Sequence, residues 1–257
     1  MPATALQHFA EDISRTRAIL AHAESLATAT PSDRTLRSDL LRSAWMFAVG
    51  ALDAYFCDAY TDVVAASVSS KSRQKSMILP AFVASIKFPI RAILEEYDNT
   101  NWRWRMAARE MMERESVLSL TAVENLFNKF FRAERRFFGG VLHGWIAHPE
   151  AKARLFGVTS STYSAMTPKD QDAARRGARK QFEGHFRDLF QRRHDCIHNC
   201  DRPRTRPQPL KAAAQVAKVV QDVEFLVRRC DEHIDAEFRQ FLADTGCSPA
   251  TVLAANY

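Results

Sequence analysis

The sequence predicts an all-α protein. Apolar residues recur at steps of three and four over long stretches, as in Leu40, Leu41, Trp45, Val49, Leu52, Phe56 and Tyr60, the spacing that lines one side of a helix. Glycine (8) and proline (10) are scarce among 257 residues, which favours long helices over many short strands. No segment alternates apolar and polar residues as a half-buried strand does, and no repeat period or low-complexity block appears. Hydrophobic residues make up 46%, enough to bury a real core in one large domain, 1–257.

The first helix runs from about Ala5 to Thr28, with Phe9, Ile13, Ile19, Leu20 and Leu26 along its inner side. Pro31-Ser32-Asp33 breaks the chain and caps the next helix. This second helix, about 36–71, is apolar over much of its circumference and reads as central, with Ser67 to Ser72 as a polar loop or frayed end. Pro80 and Pro89 punctuate the next apolar segments, and Pro89 should kink or restart a helix running through Ile93 and Leu94. Asp98-Asn99-Thr100-Asn101 marks a turn, with Thr100 or Asn101 as a cap. Ala107 to Phe131 reads as two helical stretches parted near Ser119-Leu120-Thr121, where Thr121 and Glu124 have capping-box spacing.

Arg132 to Arg136 reads as a solvated charged face, and Phe137-Phe138-Gly139-Gly140 ends that helix. From Pro149 to Thr167 the periodicity lapses into loop or linker. Thr167-Pro168-Lys169-Asp170 is a helix start, with a capping hydroxyl, proline at the first position and then an acid. That helix proceeds through Phe182, Phe186, Leu189 and Phe190. A last helix, about Pro209 to Leu242, carries Val216, Val219, Val220, Val223, Leu226, Val227 and Ile234 as its inner stripe.

The balance of the chain narrows its function. No apolar run has transmembrane length, and Met1-Pro2-Ala3-Thr4 lacks the basic-then-apolar start of an export signal, so no membrane role is expected. Five cysteines without regular spacing argue against a disulfide framework and fit a reducing cytoplasm. The net charge of +6 comes largely from arginine, which suits a phosphate-bearing partner. There is no glycine-rich phosphate loop. Trp102-Arg103-Trp104-Arg105 invites nucleobase stacking, although two tryptophans near a helix start more often pack.

The densest reactive run is Gln191-Arg192-Arg193-His194-Asp195-Cys196-Ile197-His198-Asn199-Cys200, closing a helical pattern before Pro203 and Pro207. Arg193 and His198 join a fixed cation to a side chain that exchanges protons near neutrality, the pairing phosphodiester cleavage needs. On an ideal helix they stand about 140° apart. They converge only if the helix loosens after Ile197 or the arginine reaches round. The plain alternative is that these residues solvate the helix end, where a cation complements the dipole. His194, Cys196, His198 and Cys200 alternate, but like pairs share opposite faces, so one tetrahedral metal would require unwinding. Cys196 with His198 as base meets the same geometric objection. His143 and His148 are a weak metal pair. Asp53 lies on or beside the apolar face of the second helix and calls for a partner, with Arg192 or Arg193 as candidates. Three arginines, Arg202, Arg204 and Arg206, make the connector to the last helix basic.

Arg193-His194-Asp195-Cys196-Ile197-His198 resembles the R-x4-6-H signature of HEPN domains, with His194 in the polar position after the arginine. The layout is similar too, with the signature late in a helix, a further long helix after it, and an early helix carrying an acid at Ala51-Leu52-Asp53-Ala54-Tyr55-Phe56. The resemblance covers about 36–245, and its closest flavour is the bacterial defence and toxin–antitoxin type. It implies a HEPN-like helical bundle, with core helices at about 36–71 and 168–245 and a helical insertion at 72–165. It also implies a cofactor-free, metal-independent endoribonuclease and a homodimer with a composite site. A non-catalytic nucleotide- or RNA-binding version is the alternative. In that frame His198 is general base or acid for 2′-hydroxyl attack, and Arg193 holds the phosphate. His194, Asn199 and Arg192 position substrate, Asp53 fixes the guanidinium, and Arg202, Arg204 and Arg206 track the RNA backbone. Arg192 permits a second register of the signature. An antitoxin or other regulatory protein is a possible partner.

Overall fold

Thr30 opens the longest helix. Its hydroxyl accepts from the Asp33 N–H, the Asp33 carboxylate takes the Thr30 N–H, and Pro31 fills the first position, where an N–H would go unused. The result is α2 (Pro31–Arg73), 43 residues long, against which α1 (Ala5–Ser25) packs along its length. The computed structural model describes residues 4–95, 100–113, 115–199, 210 and 212–255, and every regular element among them is helical. Short helices follow α2: α3 (Ala81–Ala84), α4 (Ile90–Leu94), α5 (Thr100–Met112), α6 (Leu120–Phe127), α7 (Val141–Ile146), α8 (Ala153–Phe156) and α9 (Ser160–Ser164). Two long helices, α10 (Pro168–Asn199) and α11 (Ala213–Asp244), and a short α12 (Pro249–Leu253) complete the chain. The protein is all-α, as expected. No helix among the described residues is long and apolar enough to cross a membrane.

Three pairings fix the directions of the long helices. Val216 of α11 clusters with Leu41 and Ala44 of α2, while the Tyr55 hydroxyl of α2 donates to Asp231 of α11 at 3.0 Å, so α11 runs alongside α2 in the same sense. His185 of α10 meets Asp222 of α11 at 2.9 Å, whereas Arg192 shares a cleft with Gln215 and Lys218, so α10 runs the opposite way. The Trp45 indole N–H donates to the Leu189 carbonyl at 3.3 Å, joining α10 to α2.

Long helices touch only along stripes, and the middle of the chain fills what they leave open. Residues 72–165 contribute Met77, Val83, Phe127, Phe130, Phe137, Phe138, Trp145 and Phe156 to the same apolar cluster as α2, α10 and α11. Edge-to-face rings run through it, Tyr60 to Phe127 at 5.8 Å and Phe130 to Phe241 at 5.1 Å among them. Each fully buried phenylalanine contributes about 1.5–3 kcal/mol, so the expected insertion is part of the core. Phe138 holds φ at 55°, the left-handed region that residues other than glycine seldom adopt, and complete burial of its ring offsets the strain.

Several local expectations change. Ser67, Ser69 and Ser70 are buried within α2, not frayed from it; Ser67 donates to the Val63 carbonyl at 2.8 Å, so its hydroxyl enters the core satisfied. Pro89 restarts rather than kinks, and α4 begins at the next residue. Ser119, not Thr121, caps α6, accepting from the Ala122 N–H at 3.0 Å. The 132–136 stretch is exposed, as expected, but it forms a 3-10 turn and not the face of an α-helix. Arg132 grips Asp244 with two bonds of 2.9 and 2.8 Å, and Arg135 reaches Glu237 at 2.7 Å, so a 3-10 turn at Ala133–Arg135 is tied to α11. The 149–167 stretch contains α8 and α9. Of the turn expected at 98–101, residues 98 and 99 lie outside the described residues, and Thr100 already belongs to α5. Trp102 lies against Arg105, whose guanidinium is paired with buried Asp62, and Trp104 packs near Phe88, so packing wins over an open stacking platform.

Candidate active site at the end of α10

Thr167 and Asp170 start α10 as the sequence predicts: the Thr167 hydroxyl accepts from the Asp170 N–H at 3.3 Å and donates to its carboxylate at 2.7 Å. From there the helix stays regular to Asn199. It does not loosen after Ile197, so the faces of its last turns follow from 100° steps. Cys196 points inward and is buried. His194 and His198 point outward, both exposed, with ring centroids 4.4 Å apart. Arg193 is half-buried on the adjoining stripe, next to Ile197, which leaves 48% of its surface in solvent. Asp195 accepts from Gln191 one turn earlier at 3.0 Å.

This geometry sorts the expected site residues. The histidines stand together in the open, whereas the backbone positions of Arg193 and His198 diverge by about 140°. Arg192 lies on the inner side, lining a cleft with Trp45, Leu189 and Lys218. Cys196 lies across the helix from the histidines, so neither a metal cluster nor a Cys196–His198 nucleophile pair assembles there; no group of three or more His, Cys, Asp and Glu side chains among the described residues has metal-binding geometry. The side chain of Asn199, together with Cys200, Arg202, Arg204 and Arg206, lies outside the described residues.

Asp53 requires a correction. Its carboxylate accepts from the Val117 N–H at 2.6 Å and the Ser116 hydroxyl at 3.4 Å, pinning the segment between α5 and α6 to α2. Helix direction explains why it does not fix an arginine of the signature. Asp53 lies eight residues beyond Trp45, about 12 Å along α2. Arg192 and Arg193 lie beyond Leu189 on an antiparallel helix, about 5 Å the other way. An arginine stem does not span that gap.

A buried polar network lies elsewhere on α10. Asp222, 1% exposed, accepts from the Arg154 Nε at 2.8 Å with both carboxylate oxygens and lies 2.9 Å from His185 Nε2, so α8, α10 and α11 meet on one carboxylate. The signal was present: an acid inside the stripe Val219, Val220, Val223 is the same anomaly that drew attention to Asp53. Farther off, burial pushes the Asp62 carboxyl up to about 6 despite Arg105 beside it, and pushes the Cys57 thiol up to about 12, leaving that cysteine a poor nucleophile.

Compared with known proteins, the chain matches no family model, no curated protein and no solved structure.

Proposed function

We propose that this chain is a metal-independent endoribonuclease of the HEPN type, acting as a homodimer whose active site is shared between two copies of α10. The observation that carries the reading is the exposed His194–His198 pair at 4.4 Å, placed on the solvent side of the helix that also bears Arg193. Exposure leaves both imidazoles open to a substrate, and the cleavage test below separates this reading from plain solvation of the helix end. Because the helix is regular, Arg193 and His198 of one chain face apart, and a second copy supplies the missing group. Ile197, half in solvent between them, gives that pairing an apolar contact.

In this mechanism His198 removes the proton from a ribose 2′-hydroxyl, the oxygen attacks the adjacent phosphorus, and the 5′-oxygen leaves. The products are a 2′,3′-cyclic phosphate and a 5′-hydroxyl. A second imidazole protonates the leaving oxygen, and Arg193 bonds the phosphate oxygens as charge builds there. Arg193 is the working arginine and Arg192, on the inner side, is not. The 2′-hydroxyl requirement selects RNA. A defence effector or toxin role, with an antitoxin or other regulatory protein restraining it, follows from the same family reading.

The test is cleavage of mixed cellular RNA in EDTA by the wild-type chain and by His198→Ala. Cutting by the wild type, with loss in the variant and retained RNA binding, supports the proposal. Binding without cutting by either protein refutes catalysis and leaves a nucleotide- or RNA-binding protein.

A further inference from the structure

Four histidines of this chain are held by the protein itself. His8, His148, His185 and His233 each have a ring nitrogen bonded to another protein group, at 3.0, 3.2, 2.9 and 2.6 Å. His194 and His198 have no such bond among the described residues; both rings stand in solvent and meet each other, 4.4 Å between centres. We infer that this pair chelates one divalent transition ion per chain, of the Ni²⁺ or Cu²⁺ class, through one nitrogen of each ring. The binding itself does not rest on the nuclease reading.

Geometry comes first. Residues four apart on a helix lie one above the other on the same face, and α10 is regular through both. A histidine nitrogen sits about 2.0–2.1 Å from a bound ion, which puts its ring centre about 3.2 Å away. Two rings at a right angle about one ion then have centres about 4.5 Å apart, whereas a tetrahedral angle needs about 5.2 Å. The observed 4.4 Å matches the right angle. That is the relation of neighbouring ligands in the tetragonal sites that Ni²⁺ and Cu²⁺ prefer, with water in the remaining positions. The outer torsion of histidine is broad, so the nitrogens turn toward a shared ion while the ring centres move little.

The surroundings favour a cation. The pair occupies the last two turns of α10, where carbonyls without an intrahelical N–H form the negative end of the helix dipole. Asp195 adds a carboxylate beside the pair, accepting from Gln191 at 3.0 Å. Arg193 stands about 100° from His194 and about 140° from His198 round the helix. Buried Cys196 lies on the other side, so imidazole is the donor on offer. Two rings on one face outbind one, because the second meets the ion at high effective concentration. On the proposed mechanism, the imidazole that takes the 2′-hydroxyl proton then gives its lone pair to the ion. Loading therefore stops cleavage and EDTA restores it, a consequence that does rest on the nuclease reading.

Isothermal titration of the untagged full chain with nickel chloride tests the site. One ion should bind per chain, and His194→Ala and His198→Ala should each weaken it about tenfold or more. Their unfolding midpoints should stay close to wild type, since both positions are exposed. Cys200→Ser should bind nickel as the wild type does. No binding at millimolar nickel overturns the inference, as does loss of binding in Cys200→Ser. Wild-type affinity no tighter than that of either histidine variant means an adventitious ion only, and overturns it as well. RNA cleavage is followed alongside: inhibition by nickel that EDTA reverses supports the regulatory consequence, and full activity of the nickel-loaded wild type overturns it. No cleavage in EDTA refutes the nuclease reading, while the titration still decides the metal site.

Discussion

Replacing Asp222 with alanine should be among the most damaging single changes in this protein. The carboxylate is buried at 1% exposure and receives Arg154 at 2.7–2.8 Å and His185 at 2.9 Å. Removing one member of a buried ion pair costs about 3–5 kcal/mol, because the remaining charge loses its partner without regaining water. Here the partners retain side-chain exposures of 28% and 21%, so both can rehydrate partly, and the loss should fall near the lower end, about 3 kcal/mol. Urea unfolding followed by far-UV circular dichroism at pH 7 measures it directly. The double variant Asp222→Ala, Arg154→Ala completes the comparison: it should recover part of the loss, since no guanidinium is then left beside an empty acceptor. A loss below about 1 kcal/mol in Asp222→Ala, with no recovery in the double variant, would mean the network behaves like an exposed surface pair and would falsify the reasoning.

Other outcomes follow from the same structure. Under the proposed mechanism, His198→Ala should lower RNA cleavage at least 100-fold, in line with the roughly 10²–10⁴-fold worth of a general acid or base, while its exposed position keeps the unfolding midpoint close to wild type. Asp53→Ala should cost about 1–3 kcal/mol, since the Val117 N–H loses its acceptor. Unlike His198→Ala, it should leave cleavage per folded molecule unchanged, and a selective loss of activity would return Asp53 to the active site. The raised Asp62 pKa gives a pH dependence. Below pH 4 the carboxyl is protonated in both states; between about 4 and 6 the native state keeps a proton that the unfolded chain has released, so stability falls as pH rises. The fall amounts to at most about 3 kcal/mol at about 1.4 kcal/mol per pH unit. Denaturant midpoints at pH 4 and 7 should show this decline in the wild type and a flatter profile in Asp62→Asn, and parallel profiles would count against it.

The long helices were legible because their information is local. Thr167-Pro168 and the Pro31-Ser32-Asp33 break mark helix starts by chemistry that acts within one turn, and the valine stripe of α11 needs no knowledge of what covers it. Ser67 to Ser70 misled because a serine's preference for loops is weak, and burial against neighbouring helices outweighed it. The Arg132–Asp244 and Arg135–Glu237 grips join residues more than 100 positions apart, which no local pattern encodes. Asp53 was rightly singled out as an acid in need of a partner and wrongly partnered, because the partner depends on helix direction. The same limit hid Arg154 and His185, whose common purpose appears only when α8, α10 and α11 converge on Asp222. At the signature, spacing placed His194 and His198 on one face and left Arg193 aside, and the regular helix keeps that arrangement.

A rod that never breaks behaves as an axle. The last turns of α10 carry Arg192 toward the interior and His194 and His198 toward the outside on the same unbroken backbone. With side chains extending about 5–6 Å from the axis, a roll of 10° carries every tip by about 1 Å at once. A displacement of about 1 Å can change a catalysed rate by about 100-fold. On one unbroken backbone the inner guanidinium and the outer imidazoles hold fixed places relative to one another, so a roll of the helix would shift them together.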